Sequence, residues 1–197
     1  MNNKMSLVTM RSPFGFLAIA TSIMAITFAG WMALLNNFAI EAAQFTGANM
    51  GMLQSLREIP GLLAFTAVFV LLVLKEQTFA LISLCLLSIG VAVTGLFPSI
   101  YGLYATTVLK SIGFHYFETI NQSLSLQWFN KDEAPQQLGR LMSIKSLASL
   151  LTYAAIWLSV TFFSTDYQWL YLSIGGVGLL LTIYLIVAFP TFTMSST

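Results

Sequence analysis

From Phe14 to Leu35 the chain runs for 22 residues without a charged side chain. Runs of this kind recur along the chain, and they restrict what it can fold into. A helix needs about 20 apolar residues to cross the hydrocarbon of a bilayer. In lipid every backbone N–H and C=O must be satisfied within the protein, so only helices and closed barrels cross. Barrel strands are short and alternate in polarity, and long apolar runs exclude that pattern. A cleaved signal peptide has a shorter apolar core and a small-residue cleavage site. Phe14–Leu35 therefore reads as a membrane span.

Six such spans are expected, at about 14–35, 48–74, 77–97, 100–129, 141–163 and 169–189. The fold class is an all-α membrane bundle. Composition agrees: 57% of residues are hydrophobic and 8% charged, with a mean hydropathy of +0.83. Soluble domains carry about 25% charged residues. Lipid is then the main solvent, and the bilayer the first expected partner.

The connections are short. Asn36 to Gly47 is a polar break, Lys75-Glu76 a tight charged turn and Pro98-Ser99 a stop. Asn130 to Arg140 (NKDEAPQQLGR) is the clearly hydrophilic loop, and Ser164 to Gln168 a short turn with Asp166. Orientation follows from loop lysines and arginines, which stay cytoplasmic. With the N-terminus inside, Lys4, Arg11, Lys75, Lys131, Arg140 and Lys145 fall on the cytoplasmic side. The opposite loops hold no basic residue. This predicts a plasma (inner) membrane protein with both termini cytoplasmic.

Against that background the charges inside the spans stand out. Arg57 and Glu58 lie in the second span, and Lys110, His115, Glu118, Asn121 and Gln122 in the fourth. At 1.5 Å per residue, Arg57, Glu58 and Lys110 all sit about 15 Å below the outer surface. A charge at the bilayer centre costs about 2.5–3.5 kcal/mol even on a lenient scale, so these residues must face protein or a water-filled cavity. Lys110 and Glu118 are eight apart and share a helix face. His115, Glu118 and Gln122 form an i, i+3, i+7 stripe, with Asn121 beside it. Two uses fit: an ion-pair cluster that locks helices together, or a substrate or proton pathway. Glu118 has a further alternative, pairing with Lys145 or Arg140 across the short loop.

Smaller signals complete the reading. Pro60-Gly61 directly follows Glu58, and proline removes a backbone bond while glycine loosens the next turn. The result is a packing kink or a set of carbonyls open to a ligand. Gly90, Gly95, Gly175, Gly176 and Gly178 read as close-packing positions. Trp31, Trp128, Trp157 and Trp169 read as interfacial belt residues, with Trp31 and Trp157 alternatively facing a cavity. The lone Cys85 reads as a buried small hydrophobe. A net charge of +1 gives no reason to expect nucleic acid. No metal-ligand spacing, phosphate loop or dinucleotide motif occurs, so neither enzyme chemistry nor a cofactor is expected.

Six spans with both ends inside and a polar loop between the fourth and fifth resemble the N-terminal half of a major facilitator superfamily transporter. APQQLGRLMSIKSLASL (Ala134–Leu150) looks like that family's fourth-to-fifth loop, where a proline and Gly-Arg precede the next helix. GANMGMLQSLREIPGLLAF (Gly47–Phe65) looks like its second helix. Two signatures depart. The second-to-third turn holds only Lys75 and Glu76 in place of a glycine, an aspartate and several arginines. The fifth span also lacks the antiporter glycine-proline motif.

The resemblance implies secondary active transport of a small solute by alternating access. It implies a second six-helix half, on the same or another chain, and leaves the coupling ion open, with protons one candidate. The first and fourth spans would line the cavity, bringing in Asn36 and Asn37, and the second and fifth would face the other half. The alternative is a six-helix fragment or partner subunit that transports nothing itself.

Overall fold

The computed structural model describes residues 11–192. Lys4, one of the residues used for orientation, and residues 193–197 of the tail lie outside that range. Among the described residues the chain is helical, with no strand. The helices are α1 (Pro13–Glu41), α2 (Gly47–Leu62), the five-residue α3 (Ala67–Leu71), α4 (Glu76–Thr94), α5 (Ile100–Trp128), α6 (Ala134–Phe163) and α7 (Tyr167–Ala188). A 3-10 turn, Ala64–Thr66, joins α2 to α3, so these pieces make one bent rod.

Local chemistry starts and stops them. The Ser12 hydroxyl caps α1 by accepting from the Gly15 N–H at 3.1 Å, with Pro13 in the first helical position, where its missing N–H costs nothing. Ser99 caps α5 in the same way through Gly102, and Thr46 caps α2 through Asn49. α6 ends at Ser164, which adopts a left-handed conformation (φ 48°). Within the helices, hydroxyls of Thr27, Thr106 and Thr182 return to carbonyls one turn back. That internal pairing satisfies polar groups that have no water to turn to.

α4 lies wedged between α5 and α7. α1 packs on α6 and α7 and touches α4 and α5, while α2 leans on α5. The shared core holds Phe16, Leu17, Trp31, Leu84, Leu87, Leu103, Phe117 and Tyr171. Small residues bring the backbones together. A Cβ built on Gly113 of α5 would meet the Leu87 nitrogen of α4 at 2.3 Å, and one on Gly175 of α7 would meet the Ala92 nitrogen at 2.4 Å. Gly90, Gly95 and Gly178 are packed in the same manner, but Gly176 faces open space.

Five rods are long and apolar enough to cross a membrane, as in a multi-pass membrane protein: α1, α2 through α3, α4, α6 and α7. α5 is also 29 residues long, but it is the helix that carries Lys110, His115, Glu118, Asn121 and Gln122. Coverage is uneven. Within their most apolar stretches α1 and α4 are 61% buried, the α2–α3 rod 17% and α6 only 6%. Leu150, Trp157 and Phe163 on α6, with Leu62, Phe69 and Val73 on the bent rod, stand uncovered by protein.

Two boundaries differ from the sequence reading. α6 begins at Ala134, so half of the hydrophilic Asn130–Arg140 stretch is helix. Proline at the second helical position is pre-organised for a first turn, and Gln136, Gln137 and Leu138 are good helix formers. The second span is also interrupted, because α2 stops at Leu62, one residue after Pro60-Gly61.

Candidate functional site

Lys110 sits in the first half of α5, about three turns from its start, and is 0% exposed. It reaches α1. Its Nζ lies 3.8 Å from the Trp31 ring centroid, 4.9 Å from that of Phe28 and 5.6 Å from that of Phe114. Trp31 and Phe28 are three apart on α1, and Phe114 is one turn beyond Lys110 on α5, so helical spacing supplies the enclosure. Among the described residues the Nζ has no hydrogen-bond partner, nor has the buried indole Nε1 of Trp31. An isolated ammonium loses several kcal/mol of hydration on burial. Cation–π contacts return about 2 kcal/mol when desolvated. The balance is a cost, and nothing in the packing requires it.

The neighbouring charges come from α2. Arg57 donates to Glu58 from Nε at 2.9 Å and from Nη2 at 2.8 Å, both to Oε1. The other oxygen, Oε2, stands 4.0 Å from His115 Nε2 on α5. Arg57 Nη1 also reaches the Met32 sulfur of α1 at 3.6 Å. Arg57, Glu58 and His115 form one cluster where α1, α2 and α5 meet, and the Phe114 ring, 5.1 Å from that of His115, joins it to Lys110. Glu58 is 54% exposed and Arg57 23%, so the cluster is closed at Lys110 and open at the carboxylate.

The bend in the second rod is part of this site. A Cβ on Gly61 would lie 2.9 Å from His115 Cε1, so only glycine lets α2 approach that ring. One turn on, Tyr116 Oη and Thr66 Oγ1 share a 2.5 Å hydrogen bond. Thr66 Oγ1 donates to the Leu63 carbonyl at 2.7 Å, and Tyr116 Oη, 3.4 Å from the same oxygen, is left to donate to Thr66. The Leu63 carbonyl, which also accepts from the Thr66 N–H at 2.9 Å, is thus held within the protein. Of the two outcomes expected at Pro60-Gly61, a packing kink or open carbonyls, the break in the helix is the one observed.

The remaining residues of the polar stripe stand apart. Glu118 is partly buried and Gln122 exposed, and neither hydrogen-bonds or ion-pairs with the cluster among the described residues. Asn121 keeps a buried, unpartnered Oδ1. The alternative pairing of Glu118 with Lys145 or Arg140 is not made: both are exposed, and α6 packs on α1 and hardly touches α5. Asn36 and Asn37 are exposed near the end of α1. Trp31 is not a belt residue, being wholly buried beneath Lys110, whereas Trp157 and Trp169 are 60% exposed.

Phe28, Met32 and Phe114 were not singled out from the sequence. The available signal was an aromatic residue one helical turn from a buried lysine, as at Lys110 and Phe114. Phe28 and Met32 belong to another helix, and only tertiary contact reveals them. No known family's sequence profile matches the chain, and no curated protein resembles it to a significant degree.

Proposed function

We propose that this chain is a six-helix half of a secondary transporter of the major facilitator type, with all six long rods crossing a plasma (inner) membrane and both termini cytoplasmic. It moves a small solute by rocking against a second six-helix half, on the same or another chain. The observation that carries this reading is Lys110: a buried cation held between two helices, with no hydrogen-bond or ion-pair partner among the described residues. Intramembrane ionisable residues mark pathways by default. The nearly bare apolar faces of α6 and of the α2–α3 rod supply the surfaces that a second half would cover.

Lys110 attracts the anionic part of the solute. Glu58 is the better placed proton carrier, because it is open on one side and touches both Arg57 and His115. Glu118 is the second carboxylate to test. In proteoliposomes holding the assembled transporter, Lys110→Met, Glu58→Gln and Glu118→Gln are to be compared for uptake at matched protein content. Loss of uptake in Lys110→Met, and in at least one carboxylate variant, supports the reading. Unchanged uptake in all three rejects it. The uncovered faces also suit a subunit that only assembles with others. That reading predicts uptake indifferent to these three changes but sensitive to polar substitutions at Leu150 and Leu151.

A further inference from the structure

Around Lys110 the unpartnered groups are rich in hydrogen-bond donors. The Nζ brings three N–H bonds, Trp31 Nε1 brings one, and the buried hydroxyl of Thr107, one turn before Lys110 on α5, is also unpaired. A ligand that fits must bring acceptors. The charge sum points the same way. Arg57 and Glu58 compensate each other at 2.8 Å, which leaves the charge of Lys110 unbalanced. One negative charge balances the site, and a second would be left without a partner in a low-dielectric wall.

The wall itself describes the rest of the ligand. Phe28 of α1 and Phe114 of α5 stack at 4.5 Å between centroids and 19° between planes, and both are only partly buried. They separate the fully buried Nζ from the outside. The other aromatic pair between α1 and α5 among the described residues, Phe16 and Trp128, meets edge-on at 5.7 Å, far along the helices from Lys110. Parting the Phe28 and Phe114 rings would open a slot between them and Trp31, with the ammonium at its end.

We infer that this slot binds an organic monoanion, a carboxylate on an apolar body, with the carboxylate on Lys110 and Trp31 Nε1 and the body in the place between Phe28 and Phe114. The inference rests on reading the cluster as a solute site, and it names the solute's class.

The test uses the full chain in phosphatidylcholine nanodiscs, titrated with 4-iodobenzoate, whose iodine quenches nearby indole fluorescence. Saturable quenching is expected, at least tenfold weaker in affinity in Lys110→Met, and with most of its amplitude lost in Trp31→Phe. Lys110→Arg keeps the charge and is expected to keep binding, which separates loss of the cation from loss of the fold. The amide 4-iodobenzamide, the amine 4-iodobenzylamine and the dianion 5-iodoisophthalate are each expected to bind at least tenfold more weakly. Competition by benzoate or by oleate then distinguishes a water-soluble acid from a fatty acid as the source of the carboxylate.

Equal quenching of Lys110→Met and the unaltered chain overturns the inference, as does an amide that matches the acid. Saturable binding with no carboxylate uptake in proteoliposomes rejects the transport reading and leaves the site standing. Uptake of another solute with no carboxylate binding does the reverse.

Discussion

Gly90 of α4 lies against the backbone of Lys110 on α5, so closely that a Cβ at Gly90 would fall 2.6 Å from the Lys110 nitrogen and 2.6 Å from its Cβ. The lysine's position is thus set by a hydrogen atom on the neighbouring helix. Gly90→Ala must push α5 outward at the residue whose side chain is enclosed by Trp31. Overpacking of this kind costs about 1–3 kcal/mol. The expected outcome is a lower thermal midpoint in detergent together with weakened function. Gly176→Ala, which meets nothing within 4 Å, is the control and should leave both unchanged.

Lys110→Met should stabilise the protein while abolishing uptake. Methionine is similar in length and carries no charge, so it removes the desolvation cost of several kcal/mol and forfeits about 2 kcal/mol of cation–π attraction. The sign is therefore towards a higher thermal midpoint. A lower midpoint would show that the enclosed ammonium supports the fold and would remove the main reason for assigning it to function.

Glu58 contributes differently. It is more than half exposed, and its pair with Arg57 joins adjacent residues on one helix. Exposed pairs contribute about 0–1 kcal/mol. Glu58→Gln is therefore expected to move the thermal midpoint by little, and a strong effect on uptake would be a functional one. Equal loss of stability and uptake would place Glu58 in the scaffold.

Gln77, 7% exposed at the start of α4, ties down the chain after the last helix. Its Nε2 donates to the Pro190 carbonyl at 2.9 Å, and its Oε1 accepts from the Phe192 N–H at 2.9 Å. Phe192 in turn packs edge-on against Phe16 and Trp128. Leaving buried partners unpaired costs about 1–3 kcal/mol. Gln77→Ala should raise amide hydrogen exchange at Phe192 at least tenfold, with α4 itself little changed. Protection at Phe192 equal to that of the unaltered chain would count against the clasp.

Much of the candidate site was legible one helix at a time. Arg57, Glu58, Lys110 and His115 are visible because a charge within an apolar run has few innocent explanations. Depth along the axis followed from the fixed rise of a helix and put Arg57, Glu58 and Lys110 level. Rotation was harder to read. His115 and Glu118 belong to one stripe by spacing, yet His115 meets Glu58 while Glu118 meets no charged partner among the described residues. A stripe on a helix is wide, and which edge touches a neighbour depends on that neighbour's position.

Unbroken apolar length determined, from the sequence by itself, that this chain forms long helices suited to lipid, because backbone groups in hydrocarbon must pair within their own segment. It also marked the residues that do not belong there. The choice of neighbours was tertiary: α6 on α1 instead of α5, Trp31 beneath Lys110, and Gly61 against His115. Lipid does not distinguish one apolar helix face from another. The contacts of small residues such as Gly90, Gly113 and Gly175 decide which faces meet, and those contacts exist only once the helices are packed.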